Sequence, residues 1–313
     1  MLHKAPTHMV CLSISYVNCG VFIMKIKPVL GFANQKGGVG KTTWAKTFSE
    51  YMAIIKNVKI LGLDIDSQTS YTARFLEVTK NPVTDYKEPP KHSLHEEMKN
   101  GFKHNNSTAD IFSGENPLPY QTKLSNLDIV PADEGGLFFE TENIKKKDDA
   151  EKIYNQLNRF LTLDDIQSKY DFFVIDTPPA KGFLTISAFK AMTHLVIPLE
   201  IELQSIEGLA GLLQLWKQES MSRPRNFPLE LVGILPNKVH SRRASDRDLL
   251  NALRSDLGYS EYVLPVQMGD RTEMPVCDLE NKSVFQYTNS NLAKKEAITV
   301  CDCIYSRIYN EQK

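Results

Sequence analysis

Lys36-Gly37-Gly38-Val39-Gly40-Lys41-Thr42-Thr43 stands between an apolar run, Val29 to Phe32, and a stretch of helical periodicity, Thr42 to Ile55. A glycine-rich turn that leaves a strand and opens a helix lets backbone N–H groups curl around a phosphate, and the helix adds the positive end of its dipole. Gly37, Gly38, Val39 and Gly40 supply the main chain of such a cradle, with Thr43 at the start of the helix. Lys41 is placed to reach the outer phosphates, and the Thr42 hydroxyl falls where a Mg2+ shell forms. The stretch reads as a phosphate-binding P-loop.

Working outward, the chain alternates short apolar runs with helix-period segments. In the helix after the turn, Trp44, Ala45, Phe48, Met52 and Ile55 share one face, which is expected to lie on a sheet, with Lys46 and Glu50 off that face and exposed. Val58 to Leu63, Leu127 to Val130, Phe172 to Ile175, His194 to Ile197, Leu231 to Leu235 and Tyr262 to Val266 read as further strands. Helices are expected from about Asp148 to Leu161, near Leu184 to Met192, from Ser205 to Gln218, Ser245 to Leu257, and Asn291 to about Tyr309. Unbroken apolar strands between helices belong to a mostly parallel sheet covered on both faces, so the fold class is α/β. Residues 80–123 carry five prolines and little periodicity until Thr108, and read as an insertion, partly helical around Ser93 to Lys99. One domain is expected over 24–313. Residues 1–23 are expected to be an unstructured extension or a misassigned start, because Met24 leads directly into the first strand.

Two acidic strand ends accompany the turn. Leu63-Asp64-Ile65-Asp66-Ser67-Gln68 places two carboxylates on the same side of the alternation, suited to water and metal beside phosphates; alone it is equally a solvated strand edge. Phe172-Phe173-Val174-Ile175-Asp176-Thr177-Pro178-Pro179 is an apolar strand ending in an acid, the form of a Walker B element whose Asp176 holds Mg2+ through water.

Lys36 is the residue an ordinary P-loop does not need. With it, Lys36 to Thr42 resembles the deviant Walker A motif K-G-G-x-x-K-[ST] of the ParA and MinD ATPases, and the P-loop NTPase fold follows as an expectation. The resemblance covers roughly Lys25 to Arg307. It implies that Lys36 reaches the nucleotide of a partner subunit in an ATP-sandwich homodimer, that Asp66 positions the attacking water, and that Asp64 supports the magnesium shell. Ser67 stands where the family usually has proline. Thr177-Pro178-Pro179 resembles the second switch, and Asn237 falls where the family contacts adenine, although an Asn after a strand is also a common turn residue. Arg242 or Arg243, and Arg271, match nonspecific DNA-binding arginines of the family. The activity implied is slow ATP hydrolysis, stimulated by a ParB-like centromere-binding partner, in plasmid or chromosome partition. The expected location is cytoplasmic and nucleoid-associated.

Composition bounds these expectations. With 37 basic and 38 acidic residues among 313, no global charge excess steers the chain to nucleic acid. Any basic surface is local, and Trp216 to Asp256 holds eight basic residues against five acidic. The run Lys145 to Asp149 is mixed in sign and reads as a solvated helix start. Five cysteines without zinc or redox spacing point to a reduced compartment, and none lies between Cys19 and Cys277 to hold an iron–sulfur cluster. The stretch before Lys25 is too short for a helix-turn-helix, so operator-specific binding is not expected. Residues 9–23 are too mixed to span a bilayer, and the last residues lack the basic amphipathic pattern of a membrane helix, so no membrane partner is expected. The alternative that stays open is a MinD-like ATPase positioning a membrane or protein cargo.

Overall fold

Within Phe172 to Asp176 the side chains divide strictly by alternation: Phe173 and Ile175 join one hydrophobic cluster, Phe172 and Val174 the other. A strand apolar on both sides needs a layer on each face, and the computed structural model supplies both. It describes residues 27–94, 105–144, 150–179, 182–224, 227–286 and 291–309. The expectations for residues 1–23 and for Lys145 to Asp149, and most of the helix expected at Ser93 to Lys99, lie outside the described residues.

In chain order the strands are β1 (Val29–Phe32), β2 (Ile60–Asp64), β3 (Thr79–Lys80), β4 (Lys87–Glu88), β5 (Tyr120–Gln121), β6 (Leu127–Val130), β7 (Phe172–Asp176), β8 (His194–Glu200) and β9 (Glu230–Asn237). The helices are α1 (Lys41–Ile54), α2 (Thr72–Phe75), α3 (Thr108–Phe112), α4 (Glu134–Ile144), α5 (Ala150–Tyr154), α6 (Gln156–Leu161), α7 (Asp164–Lys169), α8 (Phe183–Ala191), α9 (Leu203–Ser222), α10 (Ala244–Ser255), α11 (Glu273–Leu279) and α12 (Asn291–Ile308). A seven-stranded sheet runs β5-β6-β2-β7-β1-β8-β9, parallel except for the short antiparallel edge strand β5. Strands β3 and β4 form a separate hairpin. On one face lie α6, α8, α9 and α10, through residues such as Phe160, Phe189, Leu212 and Leu250. On the other lie α1 and α12, through Trp44, Phe48, Met52, Val300 and Ile304. The chain moves outward from β1 to β2 and β6, returns through β7, and then crosses to β8. The crevice at the carboxyl ends of such a sheet is where ligands bind.

Several expectations change, among them that of Ile55 on the sheet-facing side of α1, which is 45% exposed. Tyr262 to Val266 does not form a strand: a single parallel bridge joins Val263 to Ile234, with N–H···O bonds of 2.7 and 2.8 Å around it. Pro265 has no N–H with which to extend the ladder. The helix expected from Asp148 to Leu161 is broken at Asn155, which separates α5 from α6. Glu50 is buried, because α1 is covered on its outer side by the segment from α11 to α12. Its carboxylate accepts from Arg74 at 2.6 and 2.8 Å, and the two side chains are 5% and 6% exposed. Lys46, also expected on the outside, is only 14% exposed and lies 3.4 Å from Asp278.

Burial pushes the Glu50 carboxyl up, and Arg74 opposes that shift. Removing one partner of a buried pair leaves an uncompensated charge or an orphaned group, which costs about 3 kcal/mol or more. Arg74→Ala is therefore expected to lower unfolding free energy by about 3 kcal/mol in urea titration. Replacing both residues by apolar side chains should cost less, and equal losses would contradict the pairing.

Candidate nucleotide site

The site is built from three strand ends. β1 runs into the glycine-rich turn, while β2 and β7 end in Asp64 and Asp176, which are paired neighbours in the sheet register; Phe32 faces Asp176 from the other side. Parallel pairing in the order β2-β7-β1 thus brings both acids beside the turn that α1 continues.

Within the turn, Gly38 has φ +77° and Gly40, at the N-terminus of α1, has φ +99°. Both are left-handed conformations that L side chains rarely adopt. A Cβ on Gly40 would also overlap the Asn237 amide, whereas a Cβ on Gly38 would meet open space. Gly38 therefore lines a cradle, and Gly40 marks a packing contact.

Charge in the site is unbalanced. Lys41 is 6% exposed, and its ammonium donates to the Lys36 carbonyl at 3.1 Å. Burial lowers its pKa, opposed by the charges of Asp176 and Asp66. Asp176 is fully buried, and neither of its oxygens has a partner at full hydrogen-bond geometry. Burial, then the Asp64 charge, raises its pKa well above the ordinary range, although the Thr42 hydroxyl and Lys41 lie close enough to favour the ionised form. Asp64 differs from it, since both its oxygens are engaged. One accepts from the Asp66 N–H at 3.1 Å, the other from the Thr72 N–H at 2.8 Å and hydroxyl at 2.7 Å. Burial nevertheless pushes its pKa up to about 7. Of the two acids, Asp176 has oxygens to spare.

Asp66 lies on the loop after β2, 7% exposed, and accepts from the Gln68 N–H at 3.0 Å. Burial raises its pKa, while that N–H, Lys41 and Lys87 act against the rise. Thr177 is buried and donates to the Phe32 carbonyl at 2.7 Å, which ties the loop after β7 to the end of β1.

These residues fit a magnesium nucleotide. The buried ammonium of Lys41, held by one carbonyl at the mouth of a phosphate cradle, has donors to spare, and the buried carboxylate of Asp176 has orphaned oxygens; a phosphate and a divalent cation are the two groups that suit them. Among the described residues no group of three His, Cys, Asp or Glu could hold a metal alone. Mg2+ is commonly held by one or two carboxylates together with substrate phosphates.

Beside the cradle a cleft of about 550 Å3 is lined by Gly40, Trp44, Asn237, Met268, Pro275 and Leu279, among others. Asn237 is the last residue of β9, and its amide donates to the Val39 carbonyl at 2.8 Å. The neighbouring Lys238, at φ +52°, donates to the Gly38 carbonyl at 2.7 Å. Sequence reasoning did not single out Lys238, nor the wall that α11 forms. An Asn-Lys pair closing a strand was the available signal.

Lys36 forms an ion pair with Glu202 and lies 3.5 Å from the Ser205 hydroxyl, both at the start of α9. The three arginines expected at DNA are not brought together as one free patch. Arg242 and Arg243 are exposed just before α10. Arg271 lines the cleft, and its guanidinium is held by Glu296 at 2.9 and 2.5 Å. His240 links the two segments, lying 3.2 Å from Asp246 and 2.9 Å from Asp270.

Comparison with known proteins agrees with this geometry. The family model AAA_31, an AAA domain, matches residues 27–226. The virulence plasmid ParA family protein pGP5-D of Chlamydia psittaci is 25% identical over 284 residues, covering 91% of this chain and 96% of that protein. The chromosome partitioning protein ParA of Myxococcus xanthus is 27% identical over 270 residues, 83% of this chain and 81% of that protein. The fold is shared with a putative plasmid partition protein of Borrelia burgdorferi solved with AMPPNP. The TM-score is 0.64 at 20% identity, over 91% of this chain and 100% of that one. A P-loop at the centre of a mostly parallel sheet, two acidic strand ends beside it and the matched domain lead to one conclusion: the chain belongs to the AAA_31 family, as a P-loop ATPase of the ParA kind.

Proposed function

We propose that this chain is a partition ATPase, one domain over residues 24–313 with an insertion at 80–123, which binds ATP with Mg2+ and closes as a homodimer. The observation that carries this reading is the buried Asp176 carboxylate with both oxygens unpartnered, close to the buried Lys41 ammonium, beside a P-loop that also holds Lys36. Gly37 to Thr43 cradle the phosphates, Lys41 neutralises the outer ones, and Thr42 and Asp176 hold the metal. Asp66 orients the attacking water and accepts its proton, while Asp64 shapes the Asp66 loop through Thr72 and supports Asp176. The metal, once bound, supplies charge neutralisation at the phosphates. Asn237 steadies the P-loop and walls the cleft for the base. Lys36 leaves Glu202 and Ser205 to reach the partner's nucleotide, so closure requires breaking contacts within each protomer.

In this reading the ATP dimer binds DNA without sequence preference through Arg242 and Arg243, and a ParB-like partner stimulates hydrolysis and release. The setting is cytoplasmic and nucleoid-associated. Among the described residues no helix is long and apolar enough to cross a membrane. Arg271, held by Glu296, serves the cleft wall and reaches DNA only if that pair opens.

Binding to random duplex DNA, measured against salt with ATP, ADP or neither, tests this. Binding is expected with ATP alone, and Arg242→Ala with Arg243→Ala should reduce the log–log salt slope by about 2, one counterion per lost phosphate contact. An ATP-dependent dimer that binds no DNA but pellets with liposomes or a protein cargo would overturn the DNA assignment in favour of cargo positioning.

A further inference from the structure

The hairpin β3–β4 opens the insertion and touches the loop that carries Asp66. The Lys87 ammonium donates to the Gln68 carbonyl at 3.0 Å, and its charge is close enough to favour the ionised form of Asp66. The hairpin is itself anchored. The Lys87 N–H donates to the Glu134 carboxylate at 2.9 Å, and the Tyr86 ring lies 6.3 Å from that of Phe138 on the same helix, α4. Within the hairpin, the Asn81 side chain accepts from Val83 and Thr84 and donates to Glu88.

The loop needs such a hold. Asp66-Ser67-Gln68-Thr69 contains no proline to fix its backbone, and Thr69 sits at φ +58°. A β-branched residue in the left-handed region is strained and persists only where its surroundings over-determine it. From one side the loop is held by Asp64, which accepts from the Asp66 N–H, and by the Thr69 N–H donating to the Asp66 carbonyl at 2.9 Å. From the other side the side-chain tether is Lys87.

We infer that Lys87 is a positioning residue for ATP hydrolysis, holding the Gln68 carbonyl so that the strained loop keeps Asp66 aimed at the attacking water. The insertion is then a working part of the hydrolytic switch. This rests on the reading of Asp66 given above. Lys87 does not line the phosphate cradle or the cleft, so its loss acts on turnover and leaves ATP binding alone.

The test compares wild type, Lys87→Met and Lys87→Arg in the full chain, by steady-state hydrolysis of Mg·ATP and by amide exchange over residues 65–72 without nucleotide. Lys87→Met is expected to lower kcat about tenfold, to change KM for ATP by less than about twofold, and to speed exchange at Gln68 and Thr69 about tenfold. Lys87→Arg, which keeps a cation within reach, should return kcat to within about threefold of wild type. Glu134→Gln, which weakens the anchor without touching the loop, should give a smaller loss in the same direction and serves if Lys87→Met does not fold. Unchanged kcat and exchange in folded Lys87→Met, with wild type active, would overturn the inference. A wild type that binds ATP and never hydrolyses it would instead overturn the hydrolytic reading of Asp66, and the exchange data would still decide whether Lys87 holds the loop.

Discussion

Lys41→Ala is expected to abolish ATP binding, with affinity reduced about a thousandfold or more, roughly 4 kcal/mol. The ammonium is buried and its pKa is held down by that burial, so the nucleotide-free protein bears a desolvation cost that Asp176 and Asp66 offset only in part and a bound anion offsets further. Once phosphates enter, the same burial makes the charge–charge contact strong, and breaking such a contact typically costs about 3–5 kcal/mol. The substitution should leave the nucleotide-free protein as stable as wild type or slightly more so, because it removes a desolvated charge. Isothermal titration with Mg·ATP and thermal melting check both halves. A variant that binds ATP within tenfold of wild type would contradict the role of Lys41.

The second large effect is at Asp66. Asp66→Ala should cut hydrolysis by about a hundredfold to ten-thousandfold, the range for losing a general base or water-positioning group. ATP affinity should stay within about threefold, since the phosphates are held by the P-loop amides, Lys41 and the Asp176 side of the site. Asp66 sits on a loop rather than in the cradle, and its carboxylate accepts only a local N–H from Gln68 among the bonds described. The consequence is an ATP state that forms and does not decay.

The central part of the site was legible because it is local in sequence. The P-loop, Asp64 and Asp66, and the apolar strand ending in Asp176 each announce themselves within a few residues, and parallel pairing of β2, β7 and β1 assembles them. What sequence reasoning missed depends on distant approach. Glu50 is outward-facing by helical periodicity, and its burial is made tolerable chiefly by Arg74 of α2. Arg271 reads as a free cation until α12 brings Glu296 to it. Lys87 lies in a stretch without periodicity, so its contact with Gln68 is invisible without the hairpin's fold. Helix α4 was missed because its first turn contains Gly135 and Gly136, and α11 because Pro275 looks like a breaker although the first turn of a helix tolerates it.

The most direct measurement is the molar mass of Asp66→Ala by light scattering, with Mg·ATP and with Mg·ADP. A stable dimer with ATP and a monomer with ADP is the expected result, since ATP closure would survive and only hydrolysis would be lost. A monomer in both, from protein shown to bind ATP, would contradict the ATP-sandwich dimer and the role of Lys36 with it.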